Sequence, residues 1–184
     1  MKIPKNAKRV FKGIMFNVYQ WKQKMFDGSK KTFEMISRAP STDVIAITNN
    51  KILVLMQEQP TKPLFPSLPG GKIEKRHSHL ETAKRELMEE TGYEAKKWKL
   101  LGEWFGASKL FYHESVFIAK NCKKVREQKL DSGEKIKVTF VSFDNFLKLC
   151  RNPRFTAPIG LKFLMYEALV DKKKKEELKK SIFF

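Results

Sequence analysis

Extended runs rich in hydrophobic and β-branched residues dominate the first third of the chain and predict strands. Two extended runs flank Asp27-Gly28, and two β-branched runs, residues 44–48 and 52–56, flank Asn49-Asn50. Dipeptides of this kind between extended runs are typical of tight hairpin turns. We therefore predict one β-hairpin near the N-terminus and a second hairpin that supplies core strands.

The middle of the chain changes from an extended to a helical pattern. Residues 60–71, PTKPLFPSLPGG, predict a proline-rich loop that ends in two glycines. Residues 78–91 then show the spacing of an amphipathic helix, and Gly92 is placed to terminate it. We expect a loop, a helix and a glycine stop, in that order.

The remaining segments add strands and two further helices. The segments LLGEWFGA, HESVFIAKN and IKVTFVSF predict strands. The segments FDNFLKLCR and PIGLKFLMYEALVDKKKKEELKK predict helices, the second beginning at or near Pro158. The run Lys172–Lys175 is interpreted as the solvated end of that helix. The fold class is therefore α/β (α+β), with strands and helices mixed along the chain.

Charge adds a question about partners. The chain has 184 residues, 41% of them hydrophobic, which suffices for one core, and a formal net charge of +18. Residues 1–38 contain ten basic and two acidic side chains, whereas residues 39–119 contain eleven basic and ten acidic ones. Such an excess favours polyanionic partners or substrates, so nucleic acid is a candidate.

Two features predict where the protein works. Cys122 and Cys150 are too few for a disulfide framework or a zinc cluster, which favours a reducing compartment. The N-terminal residues lack the apolar core of a signal peptide, and the apolar runs are too short to span a bilayer. We expect a cytoplasmic protein with no membrane association.

The predicted helix carries a cluster of acids. Glu86 and Glu90 are one turn apart on one face with Glu89 close by, whereas Leu80, Ala83 and Leu87 form the opposite apolar stripe; we expect the acids to face outward together. Like charges so close repel, and a hard divalent cation such as Mg²⁺ turns that repulsion into binding. The alternative is a solvent-exposed acidic helix paired with nearby lysines.

The surroundings of these acids resemble the Nudix hydrolases. That family's signature is Gly, five residues, Glu, seven residues, then Arg-Glu-apolar-any-Glu-Glu-any-Gly-apolar. Eight positions match in register, and His77 replaces the first signature Glu. The matching residues are Gly71, Arg85, Glu86, Leu87, Glu89, Glu90, Gly92 and Tyr93.

The resemblance implies a metal-dependent hydrolase that cleaves a nucleoside diphosphate linked to another group. It implies that Glu86, Glu90 and the carbonyl of Gly70 bind Mg²⁺ or Mn²⁺, and that Glu89 binds a second ion or water. In the family the missing Glu braces the signature arginine. Here Glu74 or Glu81 is the expected partner of Arg85. Glu81 is a candidate because it is four residues away on the helix.

The order of elements is similar to that of the ADP-ribose or ADP-sugar pyrophosphatase branch. In that branch an N-terminal antiparallel sheet is exchanged across a homodimer and contacts the adenosine diphosphate. Phe33, Glu34 and Arg38 fall at the matching spacing, and Trp21 is a second stacking candidate, with core or dimer packing as the alternative for both aromatic residues. The branch also uses an acid from a late loop as general base, and Glu134 fits that position better than Asp131, with a solvated turn acid as the alternative for both.

The resemblance also predicts domains. We expect a Nudix fold, a mixed β-sheet sandwiched between helices, over residues 41–170. Residues 1–40 form the β-arm, and residues 171–184 are a basic helix end or tail.

Ser67 stands where the branch often has Glu, which affects substrate choice.

Other function classes stay open at this point. They are a Nudix enzyme acting on nucleoside triphosphates or RNA 5′ ends, a basic nucleic-acid-binding module, and a degraded Nudix domain kept for ligand binding. No dedicated RNA- or DNA-binding signature is present, so the nucleic-acid module is not favoured.

Overall fold

A computed structural model describes residues 2–106 and 108–184 of the chain. Met1, the first residue of the predicted arm, and Ala107, the last of the predicted strand LLGEWFGA, lie outside the described residues. The chain divides into two compact units. The first holds the residues up to Pro40 together with Trp104–Glu114, and the second holds Ser41–Glu103 together with Ser115–Phe184.

The elements confirm a mixed α+β fold. The strands are β1 (Lys8–Lys12), β2 (Phe16–Lys24), β3 (Lys30–Arg38), β4 (Ser41–Thr48), β5 (Lys51–Gln59), β6 (Lys62–Ser67), β7 (Gly70–Lys72), β8 (Tyr93–Glu94), β9 (Lys97–Phe105), β10 (Leu110–Phe111), β11 (His113–Lys120), β12 (Lys123–Lys124) and β13 (Lys135–Val141). The helices are α1 (His79–Thr91), α2 (Phe143–Lys148), α3 (Ile159–Val170) and α4 (Lys172–Ile182), with a single 3₁₀ turn at Leu149–Arg151.

The first unit is built on a four-stranded sheet in the order β1-β2-β3-β10. β2 and β3 form an antiparallel hairpin from the pair Phe16–Arg38 to the pair Lys24–Lys30 without a break in register. Gly28 has a φ of +84° in the connecting turn, a value that glycine adopts without a steric penalty. The predicted N-terminal hairpin is therefore confirmed.

The second unit contains a larger sheet whose strands run in the order β13-β5-β4-β11-β9, with β6 added to β5 and β7 to β4. The predicted second hairpin joins β4 to β5. Asn49 and Asn50 form its turn with φ values of 47° and 58°, the left-handed conformation that asparagine tolerates.

Helix α1 packs its apolar stripe on this sheet. Ala83 and Leu87 are fully buried in a core cluster with Val44, Leu53 and Ala119, and Leu80 packs against it. Burying an aliphatic side chain contributes about 1.5–3 kcal/mol, so the stripe fixes which face of the helix meets the sheet. The inward half of the predicted amphipathic pattern is confirmed.

Both ends of α1 are capped by local chemistry. Ser78 accepts a hydrogen bond from the backbone N–H of Glu81, and the Glu81 side chain accepts one from the backbone N–H of Ser78, which completes a capping box. At the other end Gly92 is left-handed, with a φ of +74°, and its N–H donates to Met88 O. The predicted helix limits are therefore confirmed.

The prediction of a loop over residues 60–71 is wrong. The segment contains strands β6 and β7, and β6 pairs with β5 through Phe65 and Gln57. Prolines are accepted in β6 because it lies at the edge of the sheet, where a missing N–H costs no ladder hydrogen bond.

The prediction of one helix from Pro158 to the lysine-rich end is also wrong. The helix breaks at Asp171, which has an extended backbone and accepts a hydrogen bond from the N–H of Lys174. Aspartate favours this N-cap role over a helix interior. The second piece, α4, buries Leu178 and Ile182. Lys172, Lys173 and Lys174 are exposed as predicted, whereas Lys175 is half-buried and its Nζ lies 2.6 Å from Asp144 Oδ1.

Helices of the described chain are too short or too polar to cross a bilayer.

Candidate active site

Acidic side chains from α1 and from a later loop line one cavity of about 420 Å³, which we call the acidic cavity. Its lining includes residues of strand β7, helix α1 and the loop before β13. They are Gly70, Gly71, Arg85, Glu86, Glu89, Glu90, Asp131 and Glu134. Three segments far apart in sequence thus bring together the predicted metal-binding and catalytic residues.

Glu90 is the most buried of these acids, with 5% of its surface exposed. The expectation that all three acids face outward is therefore wrong, because the strand carrying Gly70 covers this position. The Glu90 carboxylate accepts a hydrogen bond from the Gly70 N–H at 2.7 Å. Burial nevertheless raises the pKa of Glu90 well above its ordinary value, and the charges of Glu86, Glu134 and Asp43 add to the effect.

Arg85 organises the two neighbouring acids. Its guanidinium donates to Glu89 Oε2 and to Glu86 Oε1, both at 2.6 Å. The prediction that Glu81 pairs with Arg85 is wrong, because the Glu81 carboxylate caps the start of the helix. Glu74 lines the cavity, and its negative charge acts to raise the pKa of Arg85. Burial raises the pKa of Glu86, and Arg85 opposes that rise.

Glu134 reaches the cavity from the loop before β13. Its backbone N–H donates to Asp131 O at 3.0 Å, and its carboxylate accepts from the Asp131 N–H at 3.3 Å. The negative charge of Glu134 contributes to the raised pKa of both Glu86 and Glu90. The late-loop acid therefore lies within electrostatic reach of the helix acids.

Sequence patterns missed two lysines of the cavity. Lys72 and Lys129 also line the acidic cavity and add positive charge to its wall. Lys72 directly follows the glycine pair, a position that offers a signal, whereas Lys129 is placed by its backbone N–H, which donates to Glu89 O at 2.8 Å. No local pattern indicates such a long-range contact.

The predicted substrate residues lie in the first unit, on β2 and β3. Trp21 and Phe33 are paired across the hairpin, with ring centroids 5.9 Å apart. Glu34 accepts a hydrogen bond from Gln20 at 3.1 Å, and Arg38 lies 3.9 Å from Glu114. Because side chains alternate along a strand, Phe33 projects from one face of the sheet and both Glu34 and Arg38 from the other.

The acidic cavity fits a hard divalent cation. Carboxylate oxygens are the ligands that Mg²⁺ and Mn²⁺ prefer, and a buried acid such as Glu90 gains most from a counter-charge. Gly71 also keeps space open, because a Cβ at this position would overlap Glu86 Oε1. The donor set and the small residue beside it therefore suit a metal held by Glu86 and Glu90.

Comparison with known proteins agrees with this chemistry. The NUDIX domain family model matches residues 37–159. ADP-ribose pyrophosphatase of Bacillus subtilis (strain 168) is 28% identical over 147 residues, which cover 77% of this chain and 78% of that protein. Methanol dehydrogenase activator of Bacillus methanolicus is 31% identical over 154 residues, which cover 80% of this chain and 82% of that protein.

Solved structures share the fold. A structure described as an ADP compounds hydrolase aligns with a TM-score of 0.72 at 19% identity, covering 92% of this chain and 95% of that one. A NUDIX hydrolase from Nitrosomonas europaea aligns with a TM-score of 0.56 at 19% identity, covering 71% of this chain and 88% of that one.

The protein is thus a hydrolase with an acidic helix behind a glycine pair, and the chain belongs to the NUDIX domain family. Nudix hydrolases generally use a divalent metal ion, in agreement with the donor set of the acidic cavity.

Proposed function

We propose that the chain hydrolyses a nucleoside diphosphate linked to another group, with ADP-ribose or another ADP-sugar as substrate and AMP plus a sugar phosphate as products. The observation that carries the proposal is the convergence of Glu86, Glu89, Glu90 and Glu134 on one cavity. The named activities of the two ADP-processing relatives support the substrate class.

We propose Mg²⁺ or Mn²⁺ as the ion, held by Glu86, Glu90 and the Gly70 carbonyl, with Glu89 available for a second ion or water. A bound divalent cation supplies charge neutralisation and water activation to such a reaction. Arg85 holds the carboxylates of Glu86 and Glu89 in place through its two hydrogen bonds. The Gly70 N–H fixes the carboxylate of Glu90.

Glu134 is the proposed general base. The oxygen of a water attacks one phosphorus of the diphosphate, and Glu134 takes the proton that the water loses. The bond between that phosphorus and the bridging oxygen breaks, and the bridging oxygen leaves with the other phosphate. Glu134 suits this role because it lines the cavity of the metal-binding acids without an ion pair to a described residue.

The ADP moiety is proposed to contact Trp21, Phe33, Glu34 and Arg38. An aromatic face holds a base and a cation holds a phosphate. Since Phe33 and Arg38 project from opposite sheet faces, a ligand on one face of one copy meets only one of these two groups. A second copy of the chain supplies the other group, which links substrate binding to a homodimer.

The homodimer is a proposal supported by the surface of the first unit. Val10, Phe11 and Phe16, on strands β1 and β2, are 54%, 57% and 44% exposed. Exposed apolar side chains of this kind favour burial against a partner. Sedimentation equilibrium tests it: we expect a dimer for the native chain and a monomer for Phe11→Glu, whereas a monomeric native chain would refute it.

We also propose a cytoplasmic location, supported by Cys122 and Cys150, which are both free thiols. Fractionation of the source cells tests this directly, and recovery from an oxidising compartment would contradict it.

The decisive experiment is AMP release from ADP-ribose with Mg²⁺ or Mn²⁺, with EDTA as a blank. We expect metal-dependent turnover, and Glu90→Gln should lower kcat about a thousandfold, or about 4 kcal/mol of transition-state stabilisation. Glu81→Gln is the matched control, because glutamine preserves the capping box on the same helix. Turnover only of nucleoside triphosphates or capped RNA would overturn the substrate class, and turnover in EDTA would overturn the mechanism.

A further inference from the structure

A second cavity in the same unit carries the opposite charge. It has a volume of about 650 Å³, and its lining includes Lys96, Lys97, Lys123 and Lys124 together with Tyr93 and Asn49. We call it the lysine cavity. Neither the proposed hydrolysis nor the Nudix signature accounts for these lysines.

The lysines are poorly neutralised. Lys96, Lys97 and Lys123 form no ion pair with any residue in the described part of the chain, and only Lys124 does so, with Glu127 at 2.6 Å. Glu94 is the one carboxylate among the residues lining the cavity, and it stands opposite Lys123 in the β8–β12 pair. Three lysines without an ion pair around one carboxylate leave a positive potential that an anion relieves.

The walls of the cavity are held by backbone structure. The β4–β5 turn forms one wall, where Asn49 is left-handed, and a second wall contains Asn121, which is also left-handed, with a φ of 59°. The Cys122 N–H donates to Ile47 O at 2.8 Å, which ties this second wall to β4. The cavity is therefore formed before any ligand arrives, which lowers the cost of binding.

The lysine cavity is separate from the acidic cavity. Asp43 of β4 pairs with Gly70 beside the acids, whereas Thr48 at the other end of β4 lines the lysine cavity. Five residues of extended chain span about 17 Å, too far for one phosphate group to serve both places.

The volume of the lysine cavity suits a compact ligand. Small-molecule sites typically measure about 300–1,000 Å³, so the cavity matches a nucleotide-sized molecule. Lysine is a common phosphate ligand, and the Asn49 and Asn121 side chains add neutral hydrogen-bond donors. We propose that the lysine cavity binds a compact oligophosphate, either a free inorganic chain or the phosphates of a nucleotide.

Calorimetric titration of the full chain with tripolyphosphate in EDTA tests the proposal without any hydrolytic activity. We expect one ligand per chain, and a double variant Lys97→Gln with Lys123→Gln should weaken binding at least tenfold. The matched control is Lys172→Gln with Lys173→Gln on α4, which removes the same charge from exposed lysines and should change affinity less than twofold. Circular dichroism melts check that both variants fold.

ATP and single-stranded RNA complete the test. Tighter binding of ATP than of tripolyphosphate assigns the site to a nucleotide, and equal affinity assigns it to a free phosphate chain. Equal weakening in both double variants would overturn the proposal, because it would show binding by net charge alone. So would a lack of binding by the native chain, or a preference for long RNA with several chains on each strand.

Discussion

The acidic cavity and the lysine cavity belong to one unit but compensate their charges in different ways. Glu86 and Glu89 are fixed by Arg85, and Glu90 is buried against a backbone N–H. Three of the four lysines around the other cavity are exposed and have no ion pair with a described residue. The acidic cavity is therefore organised for chemistry at fixed atoms, whereas the lysine cavity offers uncompensated positive charge to an anion.

One segment lies between the two cavities, and disturbing it should have the largest effect on folding stability. Residues 123–129 run from the lysine cavity to the acidic cavity, and the N–H groups of Val125 and Arg126 donate to Gly92 O. Gly92→Ala should cost about 3 kcal/mol of folding free energy, because the residue has a positive φ and its Cβ would overlap Arg126 O. Chemical denaturation measures the loss.

Gly28→Ala is the control for Gly92→Ala. Gly28 also has a positive φ, of +84°, but an added Cβ meets nothing within 4 Å. It should cost only about 1 kcal/mol from backbone strain. Equal losses for the two variants would mean that the contact with the 123–129 segment is unimportant.

A smaller change should break the acidic cavity alone. Gly71→Ala places a Cβ against Glu86 Oε1 and moves that carboxylate, so kcat/KM should fall about a hundredfold, or about 2.7 kcal/mol, while the melting temperature changes little. Steady-state kinetics with ADP-ribose measures it. Gly133→Ala is the control, because its nearest heavy atom is Pro60 Cδ at 3.8 Å, and an equal loss there would refute the interpretation.

In the metal-free protein, the stability of the acidic cavity should depend on pH through Glu90. Burial raises the pKa of Glu90, so the folded state is favoured by protonation: the stability gain is complete below the ordinary value of 4.5 and is lost as pH rises through the raised pKa. In EDTA, Glu90→Gln should therefore melt above the native chain at pH 7, and the gap should close as pH falls toward 4.5. Melting curves across that range test this, and a constant gap would contradict it.

The smallest effect belongs to the lysine cavity. Lys97→Gln removes one of several like charges and should raise the melting temperature by about 1 °C at low salt, with the difference disappearing at high salt. Differential scanning calorimetry resolves such a shift. Lys172→Gln should not reproduce it, and a destabilised Lys97→Gln would show that the lysine packs rather than repels.

Local chemistry made much of the fold predictable. The Asn49-Asn50 turn, the limits of α1 and its apolar stripe all depend on residues that are close together in sequence. The break at Asp171 had a local signal as well, since aspartate favours the N-cap, but the long apolar and lysine-rich pattern concealed it.

Long-range pairing explains what the sequence did not indicate. Helical periodicity places Glu90 on the polar face, whereas in the structure Glu90 is buried and accepts a hydrogen bond from the Gly70 N–H. The strand character of residues 62–67 depends on β5, and the position of Lys129 depends on a backbone contact with Glu89. The lysine cavity combines three segments that no motif connects, so the +18 charge suggested anions without indicating where they bind.

The prolines of β6 have a consequence for the protein in concentrated solution. Pro63 and Pro66 lie on a strand that, in the described chain, pairs with β5 and otherwise makes one bridge, from Ser67 to Thr156. A strand edge with intact N–H groups can pair with a strand of a neighbouring molecule. Proline removes one of the N–H donors that such pairing needs. The two prolines thus disfavour edge-to-edge aggregation through β6, where a strand without proline would lower the solubility of the protein.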